Sequence, residues 1–418
     1  MALLFLCLIF GTGRTQKIEA AVQNVPESLE EESRLDTVGT DQETERAAVR
    51  EKKGQQEKEA GDTETDQAAA AQDELLAELD FDAIQQEVDS LLSSQQFSFA
   101  GTVRSLLQDG DPFRTFRAGN AVLSCAKTAF LAQKGLMKEL FLLVLAGAVL
   151  GSFSSLFEGK QVRDASFYMV YLLALALILK NFQSSGENLK AVITSLVAFM
   201  RILTPSYYLA AAAAGGASSA VMFYQILLLV ILAVEKLLLA LVLPMIHIYL
   251  LIALVNDLSG EEILSHMTEL LETCVNGLLK SSLGVLVGMQ MIRNLIAPAL
   301  DSLRQMALWR TAGMIPGIGN AVNAVTELVA GSAVLIRNCF GVTAMLVLLA
   351  AGMVPAVQLL VSGLSFRLLA AAAQPVSDKR IAGCLAAAGK GYAMLLRLLL
   401  TVEVLFLLTI AILAGTFS

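Results

Sequence analysis

Long apolar runs decide what this chain can fold into. Residues 139–157, 165–182, 191–214, 275–296, 336–360 and 395–414 each hold close to the ~20 residues a helix needs to cross a bilayer's hydrocarbon core. Residues 219–254 form a longer run, too long for one span at about 1.5 Å rise per residue. Glu235, Lys236 and Pro244 divide it into one span and a half-length or re-entrant stretch. The runs are apolar throughout rather than alternating, which excludes a β-barrel. The expected fold is therefore all-α, a polytopic membrane helix bundle with about seven spans.

Charge divides the chain. Only 16% of its 418 residues are charged, against about 25% in a soluble domain. Residues 14–93 hold 22 Asp+Glu and 8 Lys+Arg, which leaves 16 Asp+Glu and 22 Lys+Arg for the rest. The overall charge of −8 thus belongs to an N-terminal segment, and the membrane body is basic. Neither part reads as a nucleic-acid binder.

Four regions follow. Residues 1–20 read as a signal peptide with Leu3 to Phe10 as its apolar core, although no Lys or Arg precedes that core. Residues 21–72 are an acidic, disordered tether, too poor in apolar side chains to offset the entropy of ordering. Residues 73–135 are an amphipathic helical region. In it Leu75, Leu76, Leu79, Ile84, Val88, Leu91 and Leu92 recur at helical spacing. An acidic polar face is repelled by anionic lipid, so this stripe is expected to pack on a partner or on the chain's own membrane domain. A turn at 108–112 precedes a basic helix with Arg114, Arg117, Lys127, Lys134 and Lys138. Residues 136–418 are the multi-span membrane domain. By charge alone 367–390 looks cytoplasmic and 257–272 external, but the basic stretch before the first span favours the cytoplasm against an exported N-terminus, so charge does not settle the orientation.

Little in this pattern points to catalysis. The five cysteines are dispersed, and Cys125, Cys274, Cys339 and Cys384 sit in apolar surroundings that suit buried thiols. His247 reads as a satisfied buried histidine, and no metal-ligand spacing occurs. Gly389-Lys390-Gly391 fails as a phosphate loop, because Gly383 is one residue too distant and Gly391 replaces the Ser or Thr. No enzyme activity, cofactor or metal is expected. The charges within apolar runs, Arg201, Glu235, Lys236 and Glu403, must be paired, hydrated or at segment ends. Three GxxxG pairs, Gly147/Gly151, Gly284/Gly288 and Gly313/Gly317, permit close helix contact inside the bundle or with other membrane subunits. Around Met314 to Asn320 the chain leaves regular helix, as a re-entrant hairpin or broken helix at membrane depth or as an interfacial loop.

This break and its sequel resemble a known family. Asp301, Arg310, Ile315, Pro316, Gly319, Gly331, Ser332, Leu335, Arg337, Asn338 and Gly341 match the signature stretch of the stage III sporulation protein AE family. Gln374, Pro375, Asp378 and Arg380 are similar to its later loop, and Arg201 with Pro205 to an earlier element. The resemblance covers roughly residue 73 to the C-terminus; the long acidic stretch before it is a departure. It implies a mother-cell membrane protein of endospore formers, in the membrane surrounding the forespore. It also implies a channel or secretion-like complex with other stage III sporulation membrane proteins, a cytosolic ATPase subunit and, indirectly, the forespore stage II sporulation protein Q. Arg201, Pro205, Asp301, Pro316, Gly317, Gly319, Gly331, Arg337, Asn338, Gly341, Gln374, Pro375, Asp378 and Arg380 are then the structural or pore-related candidates. The alternative from the residues alone is a self-sufficient permease, with Arg201, Glu235 or Glu403 facing a midplane cavity.

Overall fold

A computed structural model of the chain describes residues 80–92, 97–109, 118–154, 160–213, 218–259, 264–312, 319–375 and 377–415. All belong to one unit, Thr65–Ser418. The expected signal peptide and tether lie outside the described residues. So do Leu75, Leu76, Leu79, Arg114, Arg117 and the 313–318 break with Gly313, Pro316 and Gly317.

The described residues form helices and no strand: α1 (Phe81–Leu91), α2 (Phe99–Asp109), α3 (Ala118–Ser154), α4 (Lys160–Ala213), α5 (Ser218–Leu237), a π-helical turn (Leu238–Val242), α6 (Leu243–Ser259), α7 (Ser265–Ala312), α8 (Gly319–Ala373) and α9 (Lys379–Gly415). Among them, five segments are long and apolar enough to cross a membrane: Tyr168–Tyr207, Leu228–Ser259, Ser265–Ile292, Gly331–Ala373 and Lys379–Ile412. The chain is a multi-pass, all-α membrane protein.

The five segments found among the described residues differ from the expected seven runs in two places. The run at 139–157 enters α3, and its side chains from residue 150 onward lie outside the described residues. The runs at 165–182 and 191–214 are one helix, α4. The polar stretch between them contains no proline, and its groups find partners. Asn181 donates to the Tyr392 hydroxyl at 2.7 Å, and Ser185 lies 3.2 Å from the same oxygen. Pro205 also sits inside α4, exposed, without ending it. The expected division after Glu235 and Lys236 becomes the π turn. Pro244 has no N–H to give the preceding turn, and the wider turn just before it absorbs that gap without a chain break.

Helix directions follow from pairs of touching residues. Tyr171 of α4 donates to Leu254 O of α6 at 2.5 Å, and Phe182 meets His247 edge-on at 5.2 Å, so α4 and α6 are antiparallel. Phe182 also meets Tyr392 at 5.2 Å, and Gly147 lies against both Val170 of α4 and Ile381 of α9, so α9 runs parallel to α4. Tyr392 stacks on Phe366 at 5.3 Å while Glu403 abuts Gly352, so α8 and α9 are antiparallel. These two make the most extensive helix pair in the unit.

The amphipathic region docks on the chain's own bundle. Asp80 caps α1 by accepting from Ala83 N at 3.1 Å. Gln85 ties α1 to α2, donating to Phe97 O at 2.7 Å and accepting from Phe99 N at 2.8 Å. Ile84, Val88 and Leu92 of the expected stripe are buried, as are Phe99, Val103 and Leu106. Each such side chain contributes about 1.5–3 kcal/mol when fully buried. Phe81 and Phe99 close on Phe340 of α8 at 6.2 and 5.0 Å.

Candidate functional site

Three polar levels lie along the bundle. The first is at the end where α6 finishes and α9 begins. Asp257 faces Gly383, whose missing Cβ leaves room for the carboxylate at 3.1 Å. Asp378 accepts from Arg380 N at 3.1 Å and so caps the start of α9. Gln374 and Pro375 form the exposed turn between α8 and α9, with Gln374 N donating to Ala370 O at 3.0 Å. At this end two stretches of opposite charge come together. Asp257 and Glu272 of the acidic stretch lie beside Gly383 and Lys390 of the basic one. Lys390 pairs with Glu272 at 2.5 Å, and Asp257 sits against Gly383. Opposite charges on one end neutralise each other, so counting each stretch alone does not fix a side.

The second level surrounds Tyr392, Asn181, Ser185 and His247. His247 Nδ1 donates to Leu243 O at 2.9 Å, and its ring occupies the space that a side chain on Gly186 would fill. Gly389 admits Arg367 and the Gly363 carbonyl, and Gly391 admits Phe182. The glycines that mimic a phosphate loop are therefore contact points between helices. Arg397 bonds Asn276 of α7 at 3.0 Å, not Glu403; Glu403 is buried against Gly352.

The third level is the opposite end. Arg337 of α8 is buried, and its guanidinium donates to the exposed Asn338 at 3.4 Å. Gly341 is buried one turn on, Gly331 is exposed one and a half turns before, and Phe340 receives Tyr207 at 6.3 Å. Arg201 is exposed on α4, and Glu235 is buried on α5.

The candidates thus do not converge. Arg337 and the turn after Ala373 are separated by the length of α8 between them, about 54 Å at the usual rise. Arg201 and Pro205 share the outer face of α4. Asp301 lies in α7 and Gly319 opens α8. Among the described residues no three His, Cys, Asp or Glu are grouped to hold a metal ion. Cys339 and Cys384 are buried as expected, but Cys274 is exposed on the outer face of α7. Sequence reading missed Tyr392 and Gly186. A tyrosine amid leucines and a glycine within a polar stretch carry no pattern until their partners from other helices are known.

Two comparisons bear on identity. The model of the stage III sporulation protein AE family matches residues 97–416. The chain belongs to that family. Stage III sporulation protein AE of Bacillus subtilis (strain 168) is 22% identical over 291 residues, which covers 69% of this chain and 73% of that protein. No solved structure matches the chain. The family is defined by a stage of sporulation rather than by a reaction, so the chain is a sporulation protein of the membrane.

Proposed function

We propose that the chain is a non-enzymatic subunit of a channel or secretion-like complex joining mother cell and forespore, seated in the mother-cell membrane around the forespore. Its partners on this reading are other stage III sporulation membrane proteins, a cytosolic ATPase subunit and, indirectly, stage II sporulation protein Q. The chain's division into signal peptide, acidic tether, amphipathic region and membrane domain fits an exported N-terminus leading to an assembled body. Asp378, Arg380, Gln374 and Pro375 then shape the α8–α9 end. Arg337, Asn338, Gly331 and Gly341 shape the other, and Asp301, Pro316, Gly317 and Gly319 the α7–α8 connection.

The observation that carries the assembly reading is on α7. Its apolar window is 22% buried, against 44–61% for the other four, so this helix is the least used by the chain's own core. Gly277, Ser281 and Gly284 are exposed on one stripe that continues to Gly288, and a side chain at any of the three glycines would meet nothing within 4 Å. Small residues at this spacing let a second membrane helix approach closely. The Gly284/Gly288 pair is thus left open to a partner, whereas Gly147 is used inside, against Val170 and Ile381.

Photo-cross-linking from Ser281 in sporulating cells tests this. Recovery of sibling stage III membrane proteins is expected, and Gly284→Leu should abolish it. Recovery of lipid adducts alone would reject the assembly. A purified chain that moves a small solute across liposomes unaided would favour the permease instead.

A further inference from the structure

The exposed face of α4 changes character part-way along. Before Phe182 it shows Tyr168, Met169, Leu172 and Leu173, all at least 46% exposed. After Phe182 a stripe at helical spacing carries Gln183, Glu187, Lys190 and Thr194, and Arg201 and Pro205 follow two turns further on, all exposed. Ser184 and Asn188 flank it, also exposed, and no large apolar side chain is exposed on this part of the helix.

A polar face would be ordinary if this half of α4 stood in water together with its neighbours. The neighbours say otherwise. Tyr171 meets Leu254 and Phe182 meets His247, so the antiparallel segment from His247 back toward Glu235 runs beside α4 beyond residue 182. There Leu237 and Leu241 are 46% and 44% exposed. Tyr392 lies at the level of Asn181, and Phe340 at the level of Tyr207, which brackets α8 and α9 in the same way. Within those brackets Leu360, Leu400 and Val404 are exposed. Single polar residues, Lys236, Gln358 and Arg397, interrupt these surfaces, and Arg397 is bonded to Asn276. Among the described residues, α4 carries four exposed polar side chains in succession at that depth, Gln183 to Thr194, and α7, held level with α9 by Arg397 and Asn276, adds the exposed Thr273, Lys280 and Ser281.

Charged side chains facing hydrocarbon are costly, and membrane proteins turn them toward the bundle interior or a water-filled cavity. The stripe is not turned inward, because Ile193, Leu196 and Phe199 fill the inward side of α4. We propose that the outer face of α4 from Gln183 to Arg201 is the wall of a water-filled passage at bilayer depth, along which hydrated polar solutes move. Lys190 and Arg201 against Glu187 make the wall basic. The Gln183 amide donates to Glu187 at 3.2 Å, and Thr194 donates to Lys190 O at 2.8 Å, so both polar groups are held in place along the helix. This deepens the channel-subunit reading and rests on it only for the walls that close the passage.

The test is cysteine accessibility in the full-length chain, with Cys274→Ser as the parent so that its exposed thiol adds no signal. Glu187→Cys and Thr194→Cys are compared with Leu241→Cys and Leu400→Cys in membranes, using a charged, membrane-impermeant methanethiosulfonate. All four positions are exposed, so the fold is not disturbed, and a lipid-soluble maleimide verifies that each thiol is present. The α4 thiols are expected to react at least about tenfold faster, because a thiolate forms in water and not in lipid. Equal, slow reaction at all four positions would overturn the passage. Equal, fast reaction would also overturn it, by placing this depth outside the bilayer. Fast α4 labelling in sporulating cells supports the proposal. Fast labelling with no sibling recovered by cross-linking would keep the aqueous face and reject only the assembly.

Discussion

Gly186 offers the sharpest test of the packing between α4 and α6. A methyl group there would stand 2.6 Å from His247 Cε1 and Nε2. Real Cβ contacts are longer, so one helix or the ring must move. The ring has little freedom, because Nδ1 is bonded to Leu243 O at 2.9 Å and Phe182 lies against it at 5.2 Å. Overpacking of this kind costs about 1–3 kcal/mol. It works against the gain of about 1 kcal/mol that Ala brings over Gly within a helix. Gly186→Ala should therefore be neutral to about 2 kcal/mol less stable than the parent. Gly284→Ala serves as the reference, since its methyl group meets nothing and keeps the full gain. The two variants should differ by about 1–3 kcal/mol in the direction opposite to their identical chemistry. Titration of the purified protein from mild detergent into dodecyl sulfate, followed by helical circular dichroism, measures the difference. His247→Ala removes the obstacle, so combining it with Gly186→Ala should recover most of the loss. Equal midpoints for Gly186→Ala and Gly284→Ala, or no recovery in the double variant, would refute the contact.

Three further outcomes are expected. Tyr392→Phe removes the oxygen shared by Asn181 and Ser185 and should cost about 0.6–1.7 kcal/mol, with the coupling to Asn181→Ala visible in a double-mutant cycle of the same titration. Asp378→Ala removes the cap of α9 and should cost about 0.5–2 kcal/mol, while Asp378→Ser restores most of it, read from the same midpoints. Phe99→Ala empties the contact with Phe81 and Phe340 and should cost about 3–5 kcal/mol of docking, seen as faster limited proteolysis between residues 93 and 110 with the membrane helices intact.

Several parts of the architecture were readable along the chain. The apolar runs announced a helical membrane protein because a bilayer offers no partner to an unpaired backbone group. Ile84, Val88 and Leu92 announced a docking face through spacing alone, and all three are buried. The division of the runs was not readable. The stretch from Lys180 to Lys190 looks like a loop until Tyr392 is seen to satisfy Asn181 and Ser185, which keeps α4 in one piece. Charge left the orientation open for a related reason. The rule counts each stretch separately, whereas Lys390 and Glu272 pair across two helices.

Sequence by itself determined the solvent of this protein, its helical class and, through the resemblance now matched over residues 97–416, its family. Those properties follow from local composition and from residue order, which need no knowledge of neighbours. Tertiary structure decided which residues share a level and which face is left outward. Arg201 and Arg337 are both basic residues in apolar surroundings, yet one is exposed on the outer face of α4 and the other is buried. Their difference lies in the helices beside them, and a helix's face acquires an environment only when its neighbours are in place.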